Sequence, residues 1–221
     1  MAPLHKTSRE AILKVASELA NAEGLRGVGV RAIAAHLKIS PGTLYNVIGD
    51  IDDIILLVNE QMLIRLRDAL RTAIVADRDA MSNVFAVAEA YVDFVRDNPK
   101  RWSMLIEHSL ASDKELPNWY QNTLDQTIDV VNQLLRPMIP DRKERQRVVA
   151  ILWATLEGFA SLTASGKLSI VSHDGPHLLV RLLISRFLGS FQPDETSKEA
   201  RQPANRSARR KEDSQPRHVR K

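Results

Sequence analysis

The sequence predicts an all-α protein, with an N-terminal three-helix domain that contains a helix-turn-helix and a larger C-terminal helical domain for ligand binding and dimerisation. Three observations predict this class. Apolar residues recur at helical spacing along most of the 221 residues. No alternating strand pattern extends beyond a few residues. The segment from Val30 to Asp53 contains two short helices joined by a tight turn, followed by a third helix start.

The first helix is predicted over roughly residues 8 to 23. Thr7, Ser8, Arg9 and Glu10 form a capping-box pattern, and Gly24 marks the C-terminal end. Between these signals, an apolar stripe contains Ile12, Leu13, Ala16, Leu19 and Ala20. The helix therefore has one face for a core and one for solvent.

The next two helices form the predicted helix-turn-helix. Val30 begins the first of them and Leu37 ends it, and Lys38 with Ile39 makes the turn. Ser40 can cap the second helix, which starts at Pro41 and ends near residue 47, since proline is tolerated at the first helical position. A helix of two turns is unstable alone, so its neighbours must support it and can present it outward.

The remaining helices are predicted from caps, prolines and apolar spacing. Asp50, with Asp53 three residues later, starts a long helix that ends near Val75. Pro99 and Pro117 each open a later helix. The other predicted segments are 82–96, a short helix from 99, 117–137, 142–165 and 177–191.

The last two helices are apolar on more than one side, which favours an interface with a second copy of the chain. Burial inside a larger monomer core is the alternative. The residues predicted to form the dimer interface are Leu152, Leu156, Phe159, Leu179, Leu183 and Phe187.

Charge and composition divide the chain into three parts, 1–50, 51–191 and 192–221. The first and the last carry a basic surplus, and the middle part is slightly acidic. The last part contains almost no large apolar residue, and we predict that it is disordered. Its run Arg209, Arg210 and Lys211 either adds nonspecific attraction to DNA or, as we prefer, is simply part of a solvated tail.

Several classes of site are not expected. The chain has no cysteine, which excludes disulfides, thiolate zinc sites and cysteine nucleophiles. We find no nucleophile paired with a base and no glycine-rich phosphate loop, so no enzyme, catalytic residue or cofactor is predicted. His173, Asp174 and His177 could be imagined around a metal ion, but the intervening Gly-Pro favours a turn, and we predict no metal site. Without a secretory signal or a membrane span, a cytoplasmic protein with no membrane partner is expected.

Aromatic residues in the middle of the second domain are candidates to line a small-molecule pocket. They are Trp102, Trp119, Tyr120 and Trp153, and each could equally be an ordinary core residue. Glu157 lies among apolar neighbours, where a carboxylate needs a partner. A ligand amine or an arginine of a second subunit could supply that partner, unless the residue lies at the surface.

The motifs EGLRGV, IAAHLKIS and PGTLYNVIGD, followed by a long helix, resemble the N-terminal domain of the tetracycline-repressor (TetR) family of transcription regulators. The resemblance extends over about residues 8–57. Its most specific element is Gly42-Thr43-Leu44-Tyr45 directly after the turn. The resemblance implies a helical ligand-binding domain whose last two helices pair with those of a second subunit in a four-helix bundle.

The resemblance also implies which residues meet DNA. Arg31, at the start of the second helix, corresponds to a base- or phosphate-contacting position, and Tyr45 to a phosphate-contacting tyrosine. An arginine can bind guanine through two donors, and a phenol can donate to phosphate. The predicted DNA-binding residues are Arg31, Ser40, Pro41, Gly42, Thr43, Tyr45 and Asn46.

The sequence departs from the family pattern near the start of the fourth helix. Ile51 replaces a common lysine, and Asp50, Asp52 and Asp53 are expected to repel phosphate. Lys38 replaces a glycine that is common in the turn.

These features favour a homodimeric transcription regulator, and more specifically a repressor. It is expected to bind double-stranded DNA at a palindromic operator and to respond to an unidentified small-molecule effector. The alternative is a helical homodimer that binds a small molecule or a protein and has weak or lost DNA binding.

Overall fold

The computed structural model describes residues 8–112, 114–189 and 191, and the tail predicted to be disordered lies outside them. Within these residues the chain is helical and has no strand, which confirms the all-α class. The α-helices of the described residues are α1 (Arg9–Glu23), α2 (Val30–Leu37), α3 (Pro41–Ile48), α4 (Ile51–Ala73), α5 (Ala80–Asp97), α6 (Pro99–Glu107), α7 (Asn118–Leu135), α8 (Arg142–Ala164), α9 (Leu168–Val171) and α10 (Pro176–Gly189), and a 3-10 helix, Gly24–Gly27, follows α1.

The helix starts follow the capping signals of the sequence. Ser8 accepts a hydrogen bond from the backbone N–H of Ala11 and begins α1. Asp50 and Asp53 each accept from the other's backbone N–H, at 3.0 and 2.9 Å, which makes a complete capping box at the start of α4. Sequence analysis missed α9, which is a single turn without a side-chain cap.

A first hydrophobic core holds α1, α2 and α3 together with the start of α4. Ile12, Ile33, Leu44 and Ile54 are completely buried in it. Met104 from α6 is also completely buried in this core. The N-terminal helices are therefore packed directly onto an element of the second part of the chain.

A second, larger core lies between α4, α5, α7, α8 and α10. Met62, Leu66 and Leu70 on the later turns of α4 belong to it, whereas Ile54 and Val58 on the earlier turns belong to the first core. Because α4 contributes to both cores, the division of the chain after residue 50 stays a prediction. Any movement of α4 would act on both cores.

Candidate nucleic-acid interface and ligand cavity

Helix α3 presents one face to the core and another to solvent. Leu44 is completely buried, while Pro41, Gly42 and Asn46 are exposed and Tyr45 is 50% exposed. Arg31 is exposed at the start of α2 and makes no hydrogen bond or ion pair with any described residue. An exposed helix with free polar side chains on its outer face can reach base edges or phosphates.

The first turn of α3 is ordered by its own side chains. The Ser40 hydroxyl accepts from the backbone N–H of Thr43 at 3.1 Å, and the two hydroxyl oxygens lie 2.9 Å apart. Ser40 is therefore a helix cap, and its hydroxyl is engaged within the turn. A Cβ added at Gly42 would meet nothing closer than the Ser40 hydroxyl, at 3.8 Å. The fold thus leaves room for a side chain at Gly42.

Lys38 makes the turn between α2 and α3 in the left-handed region, with φ of 57°. This conformation favours glycine, so the turn has the geometry of the usual glycine-containing turn despite the lysine. The lysine side chain is exposed beside α3 and adds positive charge to this surface.

The acidic start of α4 is largely paired. The Lys114 ammonium lies 2.6 Å from a carboxylate oxygen of Asp50 and 2.7 Å from one of Asp52. The other Asp52 oxygen lies 3.1 Å from Nε2 of His108. The hydrogen bonds to Lys114 lower the pKa of both carboxyls below the usual range, so they stay ionised. Their expected repulsion of phosphate is therefore offset in part by Lys114, and sequence analysis missed this contact because it joins distant segments.

An apolar cavity of about 100 Å³ lies inside the second core. Helices α4, α5, α6, α7, α8 and α10 all contribute to its wall. The wall is hydrocarbon apart from Tyr91, Trp102, Thr127 and Trp153. A site of this kind takes an apolar molecule, and its few polar groups decide how that molecule is oriented.

Glu157 lies beside the cavity and is held by two of the polar wall residues. The Tyr91 hydroxyl donates to its Oε2 at 2.6 Å, and Nε1 of Trp102 donates to the same oxygen at 2.8 Å. Burial, and next the Glu157 charge, raise the pKa of Tyr91 well above its ordinary value, so Tyr91 remains a donor. The sequence-based expectation that this carboxylate needs a partner is met by two neutral donors of its own chain.

The structure separates the four aromatic candidates. Trp102 and Trp153 line the cavity. Trp119 and Tyr120 do not: Tyr120 is buried in a small cluster with Leu56 and Leu63, next to the cavity wall, and Trp119 packs edge-on against Tyr120 at 5.7 Å. They lie on the first turn of α7, and the cavity wall begins one turn later, at Leu124, so their assignment to the pocket stays a prediction.

Helix α6 lies between the cavity and the N-terminal core. Trp102 and Leu105 line the cavity, whereas Met104 is completely buried in the N-terminal core. The guanidinium of Arg101 also donates to the backbone carbonyl of Val58 in α4, at 3.2 Å. A shift of α6 would therefore move α4 and the packing under α1 to α3.

The outer face of α8 and α10 is apolar and uncovered in the single chain. Ile151, Leu162, Leu178 and Leu182 are between 42% and 58% exposed. Gly158 lies on the same side of α8 as Ile151 and Leu162, and a Cβ added there would meet nothing within 4 Å. By length and composition α8 could also cross a membrane, and only 22% of its most apolar window is buried inside the subunit. A stripe of exposed apolar residues along two helices also fits a partner helix pair.

Two residues predicted for the dimer interface line the cavity. Leu152 is 5% exposed and lines the cavity, and Leu156 lines it as well. The assignment of Leu152 to a dimer surface is wrong, because it is buried on the side of α8 that faces the second core, whereas Leu156 is half-buried and stays a prediction. Phe159, Leu179, Leu183 and Phe187 are half-buried and stay predictions for the interface.

Two family models match the chain. Residues 12–55 match the model described as bacterial regulatory proteins, tetR family, and residues 84–187 match the tetracyclin repressor-like C-terminal domain. The first match covers α2, α3 and most of α1, and the second covers most of the cavity wall.

Relatives give the same indication. The chain is 31% identical over 99 residues to an uncharacterized HTH-type transcriptional regulator, YobS, of Bacillus subtilis (strain 168); the match covers 45% of this chain and about half of that protein, 51%. The fold of this chain is similar to that of a protein of unknown function from Rhodococcus sp. RHA1, with a TM-score of 0.69 and 18% identity. The match covers 86% of this chain and 96% of that chain. It is also similar to a TetR-like transcriptional regulator from Rhodococcus sp. RHA1, with a TM-score of 0.60, 22% identity and coverage of 85% and 99%.

Proposed function

Because this chain belongs to the TetR family of transcription regulators and is therefore not an enzyme, we propose that it acts in the cytoplasm as a homodimeric repressor that binds an inverted-repeat operator and releases it when a small molecule binds. The observation that carries this proposal is the exposed outer face of α3, with the polar side chains of Tyr45 and Asn46, in a chain that also has an uncovered apolar face on α8 and α10. One face fits the major groove, and the other fits a second subunit.

The proposed DNA contacts lie on α3 and at the start of α2. Pro41, Gly42, Tyr45 and Asn46 are exposed on α3, and Thr43 is bonded to Ser40 at its first turn. Residues near the N-terminal end of a recognition helix contact base edges. Arg31 can bind a guanine or a phosphate, and the Tyr45 hydroxyl can donate to a phosphate. Because Ser40 is engaged as a cap, its role in binding is to order this turn.

The proposed response to an effector uses the cavity and α6. A ligand that displaces Trp102 or Leu105 would move α6, and Met104 and Arg101 on that helix contact the N-terminal core and α4. A changed position of α4 alters the separation of the two α3 helices in the dimer. Since half-sites must be about one helical turn of DNA apart, a small change of separation is enough to weaken binding.

Selection of bound sites from random DNA, followed by footprinting, tests this function. We expect an inverted repeat, symmetric protection and a steep dependence on salt. Arg31→Ala and Tyr45→Ala should each weaken binding by about 1–3 kcal/mol, the usual size of one lost specific contact. Arg78→Ala removes the same charge from an exposed turn after α4 and should leave affinity nearly unchanged. Wild-type operator affinity in both Arg31→Ala and Tyr45→Ala would refute these contacts. If the wild-type protein did not bind DNA even at low salt, the result would favour a dimer without DNA binding.

Gly42→Ala is expected to separate DNA contact from folding. The fold has room for the added methyl, and alanine favours a helix over glycine, so stability should stay equal or rise by up to about 1 kcal/mol. Operator affinity should nevertheless fall by about 1–3 kcal/mol, because the methyl lies where DNA approaches the backbone of α3. Thermal unfolding and titration of the operator measure the two effects. Gly175→Ala, in an open loop, is the matched control, and unchanged operator affinity in Gly42→Ala would contradict close approach at this residue.

A further inference from the structure

The Glu157 carboxylate is oriented but not neutralised. Both of its hydrogen bonds, from Tyr91 and from Trp102, reach the same oxygen, Oε2. Among the residues that the structure describes, none donates to Oε1, and no lysine, arginine or histidine forms an ion pair with the group. A half-buried carboxylate with neutral partners gains stability when a cation approaches its free oxygen.

Aromatic residues lie close to Glu157, since Tyr91 and Trp102 both bond to its carboxylate. Tyr91 and Trp102 pack edge to face with ring centroids 5.6 Å apart, and Phe94 packs against Trp102 at 6.2 Å. Trp153 lies one helical turn before Glu157 on α8 and is 47% exposed. The faces of such rings attract cations, most strongly in the case of tryptophan.

A groove that adjoins the cavity contains two carboxylates. An open groove between α7 and α8 shares Ile128, Val149 and Trp153 with the cavity wall. Its polar lining includes the carboxylates of Asp125 and Asp129 and one cation, Arg142. Amides of neighbouring glutamines bond to both carboxylates, and these bonds leave the negative charge in place. These carboxylates attract cations, and the guanidiniums of Arg142 and of Arg67, which bonds to Gln126 in the same lining, offset part of their charge.

We propose that the effector of this protein is a small lipophilic ammonium compound, whose hydrocarbon part fills the cavity and whose ammonium group binds Oε1 of Glu157. The proposal rests on the effector site of the proposed function and adds the chemical class of the ligand. An engineered apolar cavity of roughly 150 Å³ accepts benzene, and this cavity, at about 100 Å³, is smaller, so it takes at most one ring or a short alkyl chain. An anionic ligand of the same shape would meet the Glu157 charge, and a neutral alcohol would make only a weaker hydrogen bond.

Three probes of equal carbon skeleton and different headgroup test the ligand class: benzylammonium, benzyl alcohol and benzoate. The chain has three tryptophans, and their indole N–H resonances report binding directly. Benzylammonium should shift the resonances of Trp102 and Trp153 and leave Trp119, outside the cavity, as the internal reference. Its affinity should exceed that of benzoate by about 10- to 100-fold, the usual effect of one charge-assisted hydrogen bond. Equal binding of the three probes, preference for benzoate, or no binding of benzylammonium would overturn the proposal.

Glu157→Gln tests the residue. Glutamine has the shape of glutamate and can still accept from Tyr91 and Trp102, but it has no charge. We expect the preference for benzylammonium to disappear, while benzyl alcohol binds as before. Glu18→Gln on the exposed face of α1 is the control for loss of one carboxylate. An unchanged preference in Glu157→Gln would overturn the assignment of Glu157.

A cation of the second subunit is the competing partner for Oε1, and sedimentation of the same variant distinguishes it. If Glu157→Gln dissociates the dimer and the wild-type protein ignores benzylammonium, the carboxylate belongs to the subunit contact and the proposal fails. Symmetric protection of an operator in the absence of any probe is measured separately. A regulator with that footprint and no affinity for benzylammonium would keep the proposed function and lose only the ligand class.

Discussion

Replacing Leu44 by alanine is expected to abolish operator binding while the ligand-binding domain stays folded. Leu44 is completely buried on the inner face of α3, in the core that contains Ile12, Ile33 and Ile54. Removing a leucine side chain from such a core costs about 2–5 kcal/mol, through lost burial and the cavity left behind. Helix α3 has eight residues and is not stable without this contact. The expected loss is therefore larger than that from removing any single DNA contact.

Hydrogen exchange and DNA titration measure this effect. The amides of α2 and α3 should lose about 2–5 kcal/mol of protection, whereas those of α5 and α8 should change little. Val47→Ala on the same helix is the matched control, since Val47 is 37% exposed and surface truncations usually change stability by less than about 0.5 kcal/mol. If Leu44→Ala kept the hydrogen-exchange protection of α3 and the wild-type affinity for the operator, the stability of α3 would not depend on the burial of Leu44.

Local signals predict the helix-turn-helix almost completely. Ser40 followed by Pro41 indicates the start of α3, and Asp50 with Asp53 indicates the start of α4; each signal acts over three residues through side-chain capping of free backbone amides. Periodicity in α1 and α2 then indicates their inner faces, because each has one clear apolar stripe. In contrast, α9 is four residues long and has neither a side-chain cap nor a stripe.

Contacts between distant residues explain why the sequence did not separate the cavity residues from the other aromatic residues. Trp119 and Trp153 are both partly exposed aromatic residues on long helices, and only the packing of α7 against α8 shows that Trp153 reaches the cavity. The pairs of Lys114 with Asp50 and of Tyr91 with Glu157 join residues more than sixty positions apart. Periodicity describes one helix at a time and is silent about such pairs.

The same reasoning applies to the outer face of α8. This helix is apolar on several sides, so the spacing of its leucines does not show which side faces the cavity. Burial assigns Leu152 to the interior and leaves Ile151 and Leu162 outside. A helix with two apolar faces fits two partners, here the second core and, in the proposed dimer, a second subunit.

Leu182→Glu is expected to convert the protein to a monomer and to weaken operator binding by about 10²- to 10⁴-fold, the usual gain from linking two binding modules. Leu182 is 52% exposed on α10 in the single chain, so the charged side chain can remain in water and the subunit should keep its helix content. In a dimer that pairs α8 and α10, the same carboxylate would be buried without a partner, which is strongly unfavourable. A monomer has one α3 helix and can hold only one half-site.

Sedimentation velocity and operator titration measure the two consequences, and Ile151→Glu, on α8, should reproduce them. Leu116→Glu makes the same change at a residue 42% exposed just before α7, outside this face, and should stay dimeric with wild-type affinity. A dimer of wild-type strength in Leu182→Glu would show that α10 is not in the interface. Equal dissociation in Leu116→Glu would show that added charge alone separates the subunits. We expect dissociation and loss of operator affinity in Leu182→Glu and Ile151→Glu only. This result would follow if the pairing of α8 and α10 holds the two α3 helices at the spacing of the half-sites.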